Sequence, residues 1–161
     1  MLLEKMVLNQ QKKVRVETAP LETFLAEILR VLNLSSAEVA IALVSNAEIA
    51  KWNKKYLNKK GPTDVLSFPA LSRHRAARFT RTAATPGKRP PSSGGWLGDI
   101  AISPETAKKY AEKNRRSLDN ELRVLMLHGV LHLLGYDHES PTDYGQMNQV
   151  EEDLRRRLGI A

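Results

Sequence analysis

Residues 118–138 read LDNELRVLMLHGVLHLLGYDH, and this stretch decides the architecture. Leu122, Val124, Leu125, Met126, Leu127, Val130, Leu131, Leu133 and Leu134 leave hardly a polar face between Leu118 and Leu134. An amphipathic surface helix keeps one side wet; a helix apolar all round belongs at the centre of a domain. Gly135 stops it, because glycine accepts the left-handed backbone conformation that ends helices. From Val124 to Leu134 two polar side chains interrupt the apolar surface, His128 and His132. At a spacing of four both rings leave the helix on one side.

Burying two imidazoles on an apolar helix is costly without a partner. The turn at Gly135 lets a third histidine, His138, approach the same point from outside the helix. Three imidazoles leave one position open on a tetrahedral ion, the arrangement of a catalytic zinc site rather than a closed structural one. The chain contains no cysteine, so a metal here has only histidine or carboxylate to bind it, and disulfides, thiolate zinc and iron–sulfur clusters are excluded. The fourth histidine, His74, lies among arginines and is not read as a ligand. The spacing also matches the metalloprotease helix H-E-x-x-H-x-x-G-x-x-H, with one difference. Gly129 stands where the protease carries its general-base glutamate, which argues against peptide hydrolysis by that route. Asp99, Asp137 and Glu139 could orient a ligand or move a proton, but Asp99 and Asp137 read better as cap or turn residues, and Tyr136 as packing.

Working outward, Asp143 opens a last helix with Met147, Val150, Leu154 and Leu158 on one side. Upstream, Ser103-Pro104-Glu105 is a helix start: hydroxyl cap, proline in the first turn, acid at the positive end. Asp99–Ile102 and Asp64–Phe68 read as short strands, as does Val39–Val44. Ser45 with Glu48 makes a capping box for the next helix. Leu21, Phe24, Leu25, Ile28, Leu29 and Leu32 recur at helical spacing. Val14 and Val16 about Arg15 predict one more strand. The expectation is an α+β fold: residues 1–161 as one domain, a small mixed β-sheet packed against helices, with the histidine helix buried at its centre. A chain of 161 residues suits a single core.

Charge points to the partner. Lys and Arg total 25 against 18 Asp and Glu, a net charge of +7. Six of the basic residues (Arg73, Arg75, Arg78, Arg81, Lys88 and Arg89) fall between Ser72 and Gly95, with no acid among them. That proline- and glycine-rich stretch reads as a mobile basic loop at about 72–95, suited to phosphates or simply to solubility. Lys51, Lys54, Lys55, Lys59 and Lys60 form a second cluster around Trp52 and Tyr56. The aromatics are read as the buried side of a helix and the lysines as phosphate contacts. No run of eighteen apolar residues exists and the first residues lack a signal-peptide pattern, so no membrane is expected and a cytoplasmic location is the default.

HGVLHLLGYDH (128–138), with PTDVLSFP (62–69) and LGDIAIS (97–103) before it, closely resembles the YbeY-type endoribonucleases, bacterial proteins of ribosomal RNA maturation and ribosome quality control. The likeness covers nearly the whole chain. It implies one zinc ion per chain, or another divalent ion, held by His128, His132 and His138. It implies single-stranded RNA as substrate, the 3′ end of 16S ribosomal RNA as cellular target, and the small ribosomal subunit as partner. Lys54, Lys55, Lys59, Lys60, Arg73 and Arg75 are the RNA-binding candidates. Two departures stand out. Members often carry arginine after the aromatic residue upstream of the Pro-Thr pair, where Leu57 follows Tyr56 here. The basic stretch between the two strand motifs is also long. A metal-stabilised RNA- or ribosome-binding protein with weak or no catalysis is the alternative.

Overall fold

The computed structural model describes residues 5–70, 95–136 and 141–160. Four strands and five helices follow one another as β1 (Val7–Asn9), α1 (Thr18–Val31), β2 (Glu38–Leu43), α2 (Asn46–Leu57), β3 (Val65–Pro69), β4 (Trp96–Ile102), α3 (Pro104–Lys113), α4 (Leu118–Leu133) and α5 (Pro141–Leu158). The sheet order is β1-β2-β4-β3; β1, β2 and β4 run parallel and β3 is antiparallel to β4. The α+β expectation holds, mixed sheet included. No helix among the described residues is long and apolar enough to cross a membrane.

Side chains alternate across a strand, so β2, β3 and β4 supply both layers of the core. Val39, Ile41, Leu43, Ile100 and Ile102 join the larger cluster with α1, α4 and α5. Ala42, Val44, Leu66, Phe68 and Ala101 face the other way, under Ile49, Trp52 and Tyr56 of α2. The aromatics of α2 are therefore packing residues, as read from the sequence; Tyr56 meets Phe68 edge-on at 5.3 Å. The sheet separates α2 from α4.

Caps set the helix starts. The Ser45, Ser103 and Ser117 hydroxyls accept from the backbone N–H of Glu48, Thr106 and Asn120. Where α2 and α3 begin, Asn46 Oδ1 accepts from the hydroxyls of Ser103 and Thr106, and the Glu105 carboxylate accepts the Asn46 N–H at 3.0 Å. These bonds join the carboxyl ends of β2 and β4.

One strand is misplaced by the sequence reading. Val14 and Val16 are not in a strand, because the Gln11 side chain occupies the backbone there. Gln11 Nε2 donates to Val14 O at 2.7 Å, and Val14 N–H donates to Gln11 Oε1 at 2.9 Å. An amide thus stands where a neighbouring strand would be. The edge strand is Val7–Asn9 instead, steadied by the Glu22 carboxylate, which accepts from the N–H groups of Met6 and Val7. The remaining differences are at element ends: β4 begins at Trp96 rather than Asp99, and α5 at Pro141 rather than Asp143. The basic stretch read as a loop at about 72–95 lies, but for Gly95, outside the described residues.

Candidate metal centre

Helix α4 crosses the sheet at Gly129. A methyl group on that residue would sit 2.9 Å from Cδ1, 3.0 Å from Cγ2 and 3.2 Å from Cγ1 of Ile100. Hydrogen at this position lets the helix lie directly on β4. The Ser67 hydroxyl of β3 adds a bond to the Gly129 carbonyl at 3.2 Å. The last turn lies over Gly98, where a side chain would strike the Phe68 carbonyl oxygen and approach Leu133 Cδ2 to 2.9 Å. The helix is therefore fixed on both sides of its histidines.

His128 precedes the contact glycine, about 100° round the helix from it. Its ring and that of His132 have centroids 4.6 Å apart, inclined at 67°. Their Nε2 atoms are 3.0 Å apart. Two nitrogens on a tetrahedral zinc, each at about 2.0–2.1 Å, are separated by roughly 3.3 Å. The pair fits a shared cation in spacing and in donor chemistry. On the other side of His128, Nδ1 lies 3.1 Å from Glu151 Oε1 of α5. Both side chains are largely enclosed, at 25% and 15% exposure.

The end of α4 follows from Gly135, whose φ is +102°. Gly135 N–H donates to His132 O at 3.0 Å and Tyr136 N–H to Leu131 O at 3.1 Å, the paired bonds of a Schellman turn. The chain thus turns within three residues of His132, and Tyr136 packs partly buried against the core. His138 lies outside the described residues, as do Asp137, Glu139 and His74, and no group of three metal-ligating side chains is found among those described. Of the three predicted ligands, the structure brings two together.

Asp99 is a strand residue, not a cap or turn. It is 2% exposed within β4, paired in register with Phe68 and Ala40. Its strand parity with Ala101 assigns it to the α2 side of the sheet, away from the histidine helix. Glu151 escapes a motif search because the histidine motif ends before α5 begins. A signal was present nonetheless: Glu151 falls inside the stripe of Met147, Val150, Leu154 and Leu158, where a charge needs a reason.

Among the RNA-binding candidates, Lys54, Lys55, Lys59 and Lys60 are exposed, at the end of α2 and in the turn beyond it. Lys54 Nζ donates to Asn58 Oδ1 at 3.3 Å, and Lys55 Nζ sits 5.4 Å from the Tyr56 ring centre. Lys54 and Lys55 therefore lie across the sheet from the histidines. Arg73 and Arg75 are outside the described residues. Where the segment holding them joins the fold, Ala70 N–H donates to Leu97 O at 3.0 Å. That junction lies beside Gly98, under Leu133, the residue after His132. Leu57 is 50% exposed, so an arginine-sized side chain would meet no packing there.

Fold and site define a class: an α+β domain whose central helix lies flat on a mixed sheet and presents an i, i+4 histidine pair backed by a carboxylate. The profile of the family described as "Endoribonuclease YbeY" matches residues 6–159. Proteins of that name from Anaeromyxobacter sp. and Myxococcus xanthus are each 39% identical to it over 140 residues, or 87% of this chain. The chain spans 64% of the first relative's length and 43% of the second's. A Thermotoga maritima protein solved in solution shares the fold with a TM-score of 0.55 and 25% identity, over 94% of this chain and 91% of that one. The chain belongs to the YbeY family.

Proposed function

We propose that this protein is a metal-dependent endoribonuclease cutting single-stranded RNA, with the 3′ end of 16S ribosomal RNA as its target and ribosome quality control as its setting in the cytoplasm. The observation that carries the reading is the pair of Nε2 atoms 3.0 Å apart on the central helix of a chain with this family membership. His128 and His132, with His138, would hold one zinc or similar divalent ion. Bound there, the ion supplies Lewis acidity for a phosphoryl oxygen and lowers the pKa of water.

The chain's own groups do the rest. By holding the ion, His128 and His132 would set where the reacting phosphate lies. The exposed lysines at 54, 55, 59 and 60, with Arg73 and Arg75, attract the polyanion and neutralise its charge. Gly129 has no proton-accepting group, so the protease mechanism has no counterpart here. Attack by water and attack by the RNA 2′-hydroxyl leave different ends, and a product carrying a cyclic phosphate identifies the second.

A metal-stabilised RNA- or ribosome-binding protein without efficient cleavage is the second reading, favoured by the half-exposed Leu57 where family members often have arginine. The deciding assay is cleavage of a labelled single-stranded 16S 3′ fragment by wild type and His128→Ala, with metal and with chelator. Cleavage lost in the variant and under chelation supports the nuclease. No cleavage by metal-loaded wild type, with RNA bound, supports the second reading.

A further inference from the structure

We infer that Glu151 is a positioning residue for the metal centre, holding His128 in the one tautomer that can ligate. The inference rests on the metal reading above and concerns a residue on α5, outside the histidine motif.

An ionised carboxylate only accepts hydrogen bonds, so at 3.1 Å from Glu151 Oε1 the His128 Nδ1 atom carries hydrogen. A neutral imidazole protonated at Nδ1 has its lone pair on Nε2. That lone pair is aimed at His132, whose own Nε2 is 3.0 Å away. Without a cation, the two lone pairs would repel unless one nitrogen carries hydrogen, and His128 has placed its hydrogen elsewhere. His132 therefore donates an Nε2–H to His128, and that hydrogen occupies the place a cation would take. His128 is ligand-ready beforehand; His132 completes the pair by moving its hydrogen to Nδ1. Carboxylates behind ligating histidines act in this way, setting tautomer and ring orientation and raising basicity.

Burial strengthens the case. Glu151 is 15% exposed in the inward stripe of α5, where a carboxylate without a partner would be destabilising. The bond to His128 also ties α5 to α4, so a purely structural role has to be separated from a positioning one.

Two measurements test the inference. In metal-free wild type, long-range nitrogen–proton NMR should find neutral His128 protonated at Nδ1; protonation at Nε2 would overturn the assignment, whatever any variant does. In competition with a chromogenic zinc chelator, Glu151→Ala should bind zinc about 10–100-fold more weakly than wild type. Glu151→Gln keeps an oxygen acceptor but not the charge, and should recover part of that loss. If Glu151→Ala folds and holds zinc within about two-fold of wild type, the carboxylate serves only to pin α5, and the inference fails. Wild type that binds no zinc would instead sink the metal reading itself, a distinguishable result. Should Glu151→Ala not fold, the wild-type tautomer still decides.

Discussion

Gly129→Ala tests the central packing claim, because two effects of opposite sign compete there. In an open helix interior the exchange stabilises by about 0.8–1 kcal/mol, through helix propensity. Here the new methyl would lie 2.9, 3.0 and 3.2 Å from three carbons of one Ile100 side chain, which is fully buried. Carbon atoms pack best at about 3.5–4.0 Å, so helix and strand have to part by roughly half an ångström or more. Rotating Ile100 does not clear the space, since its Cγ1 and Cγ2 branches are both too near. Overpacking of this kind costs about 1–3 kcal/mol, and after the propensity gain a net loss of about 0–2 kcal/mol is expected, in place of a gain. For a chain of this size each kcal/mol lowers Tm by about 2–4 °C. Urea unfolding of the metal-free proteins, followed by helical circular dichroism, measures the difference directly.

A second arm removes the opposing side chain. Ile100→Ala alone should cost about 2–5 kcal/mol as a cavity. With both changes the added methyl occupies part of that cavity, so the double variant should be more stable than the sum of the singles by about 0.5–3 kcal/mol. If Gly129→Ala raises stability by about 1 kcal/mol, or if the pair is additive, α4 does not bear on Ile100 as described and the reasoning fails.

Three further outcomes follow from other parts of the molecule. Asn46→Ala strips a shared acceptor from the hydroxyls of Ser103 and Thr106, with Ser103 fully buried, and should cost about 1–3 kcal/mol in the same unfolding assay. Gly135→Ala forces an L-residue to a φ of +102°; it should cost about 1–2 kcal/mol and fray the turn after His132, seen as faster amide exchange at Tyr136. Replacing Lys54, Lys55, Lys59 and Lys60 by alanine should leave unfolding nearly unchanged. It should flatten the dependence of log K on log salt for single-stranded RNA by about 0.7 for each phosphate no longer neutralised, and an unchanged slope would remove these lysines from the interface.

The legible parts of the fold are those where local chemistry and long-range packing agree. The Ser45 and Ser103 caps, the stop at Gly135 and the apolar helix between them each have a local cause that the tertiary structure leaves in force. β1 was hidden because Val7–Asn9 is only three residues long and its pairing partner, β2, lies beyond an entire helix. Val14 and Val16 gave a strand pattern, but pattern says nothing about which group takes the backbone bonds, and Gln11 took them. Strand order was likewise unreadable, since parallel pairing across crossovers leaves no local mark. In the site, spacing alone brought His128 and His132 together. Glu151 needed the docking of α5, which no motif on α4 contains.

Position 129 is where fold and chemistry constrain each other most tightly. From the sequence, glycine there merely lacks the carboxylate of the protease motif. The structure adds a steric cost: even a β-carbon presses on the Ile100 side chain, so any larger residue at 129 has to part the helix from the sheet. The same close approach sets the height of α4 above β4, and with it the point on which the His128 and His132 nitrogens converge. Glu151 does not replace the absent base, for it meets His128 at Nδ1, the nitrogen turned away from His132. Its contribution is made through the ring. Position 129 therefore supplies no carboxylate, and the carboxylate of Glu151 lies on the far side of the His128 ring from His132.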